Sequence, residues 1–532
     1  MVIVMKLLNL TLSDVLSQNA TQFPKDAAYI FEGKLYTWRQ IDRITDHMAI
    51  VMLEDGVRKG THVGLWGVNS VALVCTLYAA MKIGAVPTIL NYSYKAIEVQ
   101  SLVSYADVEF LYYGESTGSL SYPNILAQMQ KKAPLLKLCR DLTALFQDAA
   151  GKGDVGEEIR QRLEAVKSAV TTDDTACMLF TSGTTRQPKG VLLSYHSILN
   201  DARTIDELMH WDREKDSLLS AMPIFHCSGM TCGLMLGMVL GMKVVLMRTF
   251  KAEEAMALIE KYRCTAFNVV PSMLMRMVQS PAFGQYDLSS WQSGTVSGSG
   301  MTAEQYEQLA DTIGVPHLQM GYGQTETAPL ITFSDFDDDL HVKANTIGIS
   351  IPHMEVRIWD VQNDQEASPN RVGEIQARGF CVMQGYYKLD EENQKKFTSD
   401  GWLRTGDMGF RDGKGYFHFT SRISEMIVRG GENISPSEVE CIIKHFSDDI
   451  VDVKVIGMEV DTAMQEEIVA FLKMEPGTHV DGEKVSDYVK THLASFKAPQ
   501  HVWELGTFPM TGSGKIDQKA LKQLAIELTQ QR

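Results

Sequence analysis

Positive charge is the scarce sign in this sequence: 50 Lys and Arg face 66 Asp and Glu, leaving −16 at neutral pH. A chain of that sign lacks the overall basic surface that draws proteins to phosphate backbones, so nucleic acid is not an expected partner. If its ligands are anionic small molecules, a few local cations and backbone N–H groups must hold them. Cysteine is sparse, and Cys75, Cys139, Cys177, Cys227, Cys232, Cys264, Cys381 and Cys441 form no C-x-x-C pair. That spacing excludes a zinc ribbon or a redox dithiol and suits mostly buried apolar residues in a reducing compartment. Long apolar runs are missing too. The longest candidate, residues 230–247, is broken by Lys243 and holds Gly233, Gly237 and Gly241, short of the ~20 apolar residues of a membrane crossing. It reads as a buried helix running into a strand. The first residues, Met1-Val2-Ile3-Val4-Met5, are apolar only briefly and show no small-x-small cleavage site. No secretory leader and no integral membrane association are expected, and the expected location is the cytoplasm. Internal repeats and low-complexity tracts are likewise absent.

With 45% hydrophobic residues the 532-residue chain can support large cores, and at ~100–200 residues per domain it should build more than one. Helix-like and strand-like patterns alternate from the start. Residues 41–53 place Ile41, Ile44, Met48 and Met52 on one helical face, His62-Val63-Gly64-Leu65-Trp66 follows as a strand, and residues 71–83 and 85–90 repeat the pair. That is the rhythm of a mostly parallel sheet. Residues 148–170, with three glycines and many charges, read as a surface connection before a strand at 176–180. From about Met354 the pattern becomes that of an antiparallel, half-solvated sheet, as in Glu355-Val356-Arg357-Ile358-Trp359 and Gly373-Glu374-Ile375-Gln376-Ala377. After Ser421-Arg422-Ile423-Ser424 come a capped helix from Ser435, two strands and two more helices. They make a compact α+β module of ordinary domain size.

Five segments carry chemistry. Thr181-Ser182-Gly183-Thr184-Thr185-Arg186-Gln187-Pro188-Lys189-Gly190 lies between two apolar strands, and its hydroxyls, backbone amides and lysine suit the oxygens of a polyphosphate. It is not a Walker A loop, because Pro188 and Gly190 stand where that motif needs glycine and a hydroxyl. Gly298-Ser299-Gly300-Met301-Thr302-Ala303 formally fits G-x-G-x-x-A, but it lacks the acidic residue of a dinucleotide site at the end of a following strand. Gly321-Tyr322-Gly323-Gln324-Thr325-Glu326-Thr327 offers an aromatic face for a base, a hydroxyl for phosphate and a hard oxygen for Mg²⁺. Asp407, expected on a tight turn after Thr405-Gly406, is a natural acceptor for a ribose diol or else an Asx turn residue. Thr511-Gly512-Ser513-Gly514-Lys515 places one lysine on a glycine-softened loop.

In this order, and with Arg422, Gly430-Gly431-Glu432-Asn433 and Phe496-Lys497-Ala498-Pro499, the segments resemble the core motifs of the acyl-adenylate-forming family. That family includes acyl-CoA synthetases, carrier-protein adenylation domains and firefly luciferase, and the acyl-CoA synthetases resemble this chain most. The likeness covers nearly the whole chain, including Lys59-Gly60 and Lys82-Ile83-Gly84-Ala85-Val86-Pro87 near its start. It implies an α/β fold. A large N-terminal domain of αβα-type subdomains plus a small β unit, 1–421, would bind ATP and the acyl substrate, followed by a mobile α+β C-terminal domain, 422–532.

The implied reaction joins a small carboxylic acid to Mg·ATP as an acyl-adenylate, releasing pyrophosphate, after which a thiol displaces AMP. Carried over by position, Thr181, Ser182, Gly183, Thr184, Thr185 and Lys189 belong to the phosphate loop. Glu326 belongs to Mg²⁺, and Thr325 to the α-phosphate or the acyl carboxylate. Adenine would lie between the Ser297–Met301 loop and Tyr322, with Ser297, Gly298, Ser299, Tyr322 and Gly323 among the ATP/AMP-binding residues, the ribose on Asp407 and Arg422, and Lys515 would bridge carboxylate and phosphate. His226, Cys227, Val270, Gly300 and Gly321 resemble acyl-pocket walls, and Gly430 with Gly431 the wall of a CoA tunnel. Two positions depart from the family pattern: Arg186 replaces a glycine, adding a cation beside the phosphates, and Ser424 occupies a hinge usually Asp or Lys. No basic residue in the two acyl segments addresses a second carboxylate, so the expected acid is an aliphatic (fatty) or aryl monocarboxylic acid. The expected enzyme is an ATP-dependent acid:CoA ligase. Two alternatives stay open: an adenylating enzyme that loads a carrier-protein thiol, and a non-catalytic nucleotide-binding homologue.

Overall fold

The structure, a computed structural model, describes residues 6–116, 121–129, 135–181, 188–298, 301–429, 432–460, 466–493, 495–511 and 516–530. The chain forms two compact units, Met1–Val356 with Ala377–Leu403, and Arg357–Gln376 with Arg404–Arg532. The 421/422 boundary expected from the sequence lies within the second of these groups, which joins most of the small β sheet to the C-terminal module.

In the first unit, among the described residues, a seven-stranded sheet runs Leu138–Asp141, Phe110–Tyr113, His62–Trp66, Val86–Leu90, Thr175–Thr181, Lys189–Ser194, Gly385–Tyr386. Its first five strands are parallel, Lys189–Ser194 runs antiparallel to them, and Gly385–Tyr386 runs antiparallel to Lys189–Ser194. The functional segment around Lys189 therefore sits where a parallel sheet reverses direction. A nine-stranded sheet, from Ile349–Ser350 at one edge to Lys34–Thr37 at the other, forms the second layer system. The helix Val71–Lys82 is buried along its whole length. Ser70 caps it by accepting the Leu73 N–H, and its mixed Leu, Val, Ala and Met faces suit a helix packed on all sides. Residues 227–246 form a short helix, a π-helical segment Met230–Met235, the helix Leu236–Leu240 and the strand Lys243–Leu246. This matches the expected helix-into-strand with one irregular turn inside it.

The connection expected at 148–170 holds a helix, Glu157–Lys167. Only Leu163 and Lys167 of that helix are buried, so its apolar stripe is too thin to show as periodicity. Cys75, Cys177, Cys227, Cys232, Cys264 and Cys381 are buried as expected, and Cys441 is exposed.

Most residues of a five-stranded sheet ordered Gln365–Glu366, Met354–Asp360, Gly373–Gly379, Leu403–Arg411, Phe417–Arg422 belong to the second unit. Beyond it, Ile450–Glu459, Glu466–Met474 and His501–Glu504 form a three-stranded sheet. Alternation along its central strand separates two cores. Ile468, Ala470 and Leu472 pack with the helices Pro436–Lys444 and Gly482–His492, while Val469 and Phe471 pack with Gln518–Gln530. Among the described residues no helix is long and apolar enough to cross a membrane.

Candidate functional site

The hairpin Thr175–Thr181/Lys189–Ser194 sets the first group of residues. Thr181 pairs in register with Lys189, so both stand at the mouth of the connection that carries Ser182, Gly183, Thr184, Thr185 and Arg186. Those five residues lie outside the described ones. A Cβ on Gly190, next to Lys189, would lie 2.8 Å from Met178 Sδ, so a side chain there would have to push that thioether aside. Lys189 Nζ donates to Glu392 Oε2 at 2.6 Å and stands 4.9 Å from the centroid of the Tyr386 ring. The hydrogen bond from Lys189 holds the Glu392 carboxyl below its ordinary range.

The second group descends from the strand His317–Gly323, which holds Gly321, Tyr322 and Gly323. Gly323 is required by close approach, because a Cβ would fall 1.8 Å from the Pro329 carbonyl oxygen. The chain then makes a 3₁₀ turn, Thr325–Thr327, stabilised by the Gln324 N–H donating to Thr327 Oγ1 at 3.0 Å and by Thr327 Oγ1 donating to the Pro329 carbonyl at 2.8 Å. The turn leaves Thr325 half-buried and Glu326 only 8% exposed. One oxygen of Glu326 accepts a hydrogen bond from the Tyr386 hydroxyl at 2.7 Å. Burial, and then the Glu326 carboxylate, push the Tyr386 phenol well above its ordinary range. Lys189 and Glu326, far apart in sequence, thus meet around one tyrosine.

Ser297 is buried after the strand Ser293–Val296, and Gly298 follows with φ of 93°, in the left-handed region that favours glycine. A Cβ on Gly298 would touch Val270 Cγ1 at 3.4 Å, so Val270 adjoins this loop. Ser299 and Gly300 lie outside the described residues. The segment at 222–229 is folded tightly on itself. Buried Asn69 donates to the Met222 carbonyl at 3.0 Å and accepts from the Ile224 N–H at 3.1 Å, and a Cβ on Gly229 would collide with the Pro223 carbonyl oxygen at 2.1 Å. His226 is half-buried with its ring centroid 4.3 Å from that of Phe225, which meets Tyr92 edge to face. Cys227 is buried, and burial pushes its thiol well up.

In the second unit Asp407 stands inside the strand Leu403–Arg411, not on the tight turn expected from Thr405-Gly406. The difference arises because Gly406, at φ 80°, kinks the chain without ending the strand. Asp407 is 7% exposed and pairs in register with Arg422, whose Nε lies 3.4 Å from its carboxylate. Ser424 follows in the 3₁₀ turn Ile423–Glu425. Gly430 and Gly431 lie outside the described residues, between the paired strands Ile427–Arg429 and Glu432–Ile434. Lys515 is also outside them, in a segment bracketed by a bridge between Met510 and Ile516.

The profile of the AMP-binding enzyme family matches residues 16–387, and that of the AMP-binding enzyme C-terminal domain matches residues 438–515. The chain belongs to the AMP-binding enzyme family. Among curated relatives of this AMP-binding enzyme is "Putative acyl-CoA synthetase YngI" of Bacillus subtilis (strain 168), 30% identical over 98% of each chain. Another is the mitochondrial medium-chain acyl-CoA ligase ACSF2 of Bos taurus, 29% identical over 97% of this chain and 87% of the relative. Among solved structures, o-succinylbenzoate CoA synthetase (MenE) from Bacillus subtilis, in complex with the acyl-adenylate intermediate OSB-AMP, superposes with a TM-score of 0.81. It is 25% identical over 97% of this chain and 99% of its own. Family and fold class therefore agree with the resemblance drawn from the motifs.

Three polar residues that contact the candidate site segments escape sequence reading: Tyr386, Glu392 and Asn69. Each is a lone side chain whose partner lies 60, 203 and about 150 positions away respectively. Periodicity and local motifs do not register such pairs.

Proposed function

We propose that this AMP-binding enzyme is an ATP-dependent carboxylic acid:CoA ligase that activates an aliphatic or aryl monocarboxylic acid as acyl-AMP and then forms acyl-CoA and AMP. The observation that carries the reading is the cluster of Lys189, Tyr386 and Glu326 at the mouth of the hydroxyl-rich connection. It gathers a cation and a carboxylate where a polyphosphate needs both. Relatives named as acyl-CoA ligases support the thioester step.

In the first half-reaction a carboxylate oxygen of the acid attacks the α-phosphorus of ATP and pyrophosphate leaves. Negative charge is redistributed around a crowded phosphorus, and preorganised cations and hydrogen-bond donors there stabilise the transition state. Lys189 faces the departing phosphates, Thr325 orients the α-phosphate or the acyl carboxylate, and Lys515 bridges the two reacting groups. Asp407 accepts from the ribose hydroxyls beside Arg422, and Tyr322 lies against adenine. Among the described residues no three His, Cys, Asp or Glu side chains form a metal cage. Glu326 is a single buried hard-oxygen donor, a set that suits Mg²⁺ shared with substrate phosphates and water. Bound there, Mg²⁺ supplies neutralisation of phosphate charge.

In the second half-reaction the CoA thiol displaces AMP from the acyl carbon, with Gly430 and Gly431 as tunnel wall. Residues 422–532 rotate about Ser424 between the two steps, withdrawing Lys515. His226, Cys227, Val270, Gly300 and Gly321 form the acyl pocket. The proposed location is the cytoplasm, a setting that suits eight free thiols.

Pyrophosphate exchange across a panel of acids, repeated with CoA or a free-standing carrier protein as acceptor, tests the reading. Exchange with monocarboxylic acids and AMP release with CoA are expected. Thioester formation on the carrier alone would make the protein a carrier loader, and no exchange with any acid would make it a non-catalytic nucleotide binder.

A further inference from the structure

We propose that Tyr386 is a positioning residue that fixes the metal carboxylate Glu326 and the phosphate-loop cation Lys189 relative to each other. Its hydroxyl donates to Glu326 Oε1 at 2.7 Å while its ring lies 4.9 Å from Lys189 Nζ, within the range at which an aromatic face attracts a cation. The inference rests on the assignment of Glu326 to Mg²⁺ made above.

The backbone explains how one side chain reaches both groups. Gly385 and Tyr386 form a two-residue strand antiparallel to Lys189–Ser194, with Tyr386 opposite Val191. Lys189 stands two residues before Val191, and therefore on the same face of the sheet as Tyr386, diagonally adjacent. Asn393 pins the tyrosine's backbone from both sides: its Oδ1 accepts the Tyr386 N–H at 2.7 Å and its Nδ2 donates to the Tyr386 carbonyl at 2.9 Å. The same asparagine explains Gly385, whose φ is 143° and whose Cβ would lie 3.2 Å from the Asn393 amide. The Glu326 turn is tied in separately, its carbonyl accepting the Met383 N–H at 2.9 Å. Tyr386 is only 5% exposed. Its donated hydrogen bond holds a buried carboxylate in one orientation before any ligand arrives, and a hydrogen bond to a charged group is among the stronger ones.

A buried tyrosine that merely satisfies its hydroxyl would affect stability and not metal affinity, so a double-mutant cycle separates the two roles. The full chain is saturated with α,β-methylene-ATP, which cannot release pyrophosphate, and titrated with Mn²⁺ followed by electron paramagnetic resonance. Thermal melts of the ligand-free proteins report the fold. Tyr386→Phe, which deletes one oxygen and keeps the ring over Lys189, is expected to weaken Mn²⁺ binding ~10-fold or more, the scale of one hydrogen bond to a charged group. In a Glu326→Gln background the same change should alter Mn²⁺ affinity less than ~2-fold, because the group it acts through is gone. Equal losses in both backgrounds would overturn the proposal. So would an unchanged affinity for Tyr386→Phe when Glu326→Gln alone binds Mn²⁺ poorly, and that result would leave the metal assignment intact. Full Mn²⁺ affinity in Glu326→Gln would overturn the assignment itself, and the positioning role with it.

Discussion

Asp407 is 7% exposed and meets Arg422 at 3.4 Å through a guanidinium that is itself half exposed. A carboxylate in this place is a suitable acceptor for the two ribose hydroxyls of the proposed nucleotide. Asp407→Ala should lower kcat/KM for ATP by roughly 2–4 kcal/mol, two hydrogen bonds to a charged group, while the melting temperature stays within a few degrees. Unchanged ATP kinetics would reduce Asp407 to a strand residue. Asp206 presents the opposite case. Its Oδ2 takes Arg203 at 3.0 Å, its Oδ1 has no partner among the described residues, and burial raises its carboxyl to about 7. A folded-state pKa above the unfolded one stabilises the fold below the unfolded value and loses that contribution as pH rises through the folded value. Stability should therefore fall between about pH 4 and pH 7 on account of Asp206. Asp206→Asn should flatten that slope, gaining at most ~4 kcal/mol at pH 8 relative to pH 4. Urea midpoints that shift equally at both pH values would show that the wild-type carboxyl titrates normally.

Among the elements, the helix Val71–Lys82 is held by charge as well as by packing. Lys82 at its end is fully buried and donates to Asp42 and Asp46 of the helix Trp38–Asp55, both at 2.6 Å, while Asp46 also meets Lys167 of Glu157–Lys167 at 2.9 Å. Burial pulls the Lys82 ammonium down, but the two aspartates outweigh it and hold it above its ordinary range. Burial raises Asp46, and Lys82 with Lys167 more than offsets that. Its stabilising contribution is thus present above the unfolded value near pH 4 and lost as pH falls through the depressed folded value. Lys82→Met should destabilise by roughly 3 kcal/mol, the lower end for breaking a buried pair because Asp42 and Asp46 keep some solvent. A loss under ~1 kcal/mol in urea unfolding would show the triad to be incidental. Helices of this kind are legible in sequence, since Val71–Lys82 is apolar but for Thr76 and the closing Lys82 and is bounded by Ser70 and Gly84. The helix Glu157–Lys167 is not, because what holds it is a charge, Lys167, whose partner lies over a hundred residues earlier. The site divides the same way. Its hydroxyl, glycine and acidic segments stand out as local clusters, whereas Tyr386 and Glu392 become meaningful only once Gly385–Tyr386 is laid against Lys189–Ser194.

At the scale of the whole molecule the proposed reaction asks one lysine to serve one half-reaction only. Lys515→Ala should slow adenylation by ~10²–10³, the effect of removing one preorganised donor from a charged transition state, and the loss should appear in kcat more than in KM. Supplied acyl-AMP and CoA should still yield thioester at close to the wild-type rate. Loss of both half-reactions in a folded variant would refute rotation about Ser424, and loss of neither would make Lys515 a solvated charge. The cysteines supply the means to watch that rotation directly. Six of the eight are buried, and Cys139 is partly covered, its thiol pushed up to about 11 by burial, so little of it is thiolate at neutral pH. Cys441 alone is exposed, on the helix Pro436–Lys444 within the part proposed to rotate. A maleimide fluorophore should therefore label the unmodified protein at one place, a ready-made optical reporter whose signal is expected to differ between the proposed adenylating and thioester-forming states.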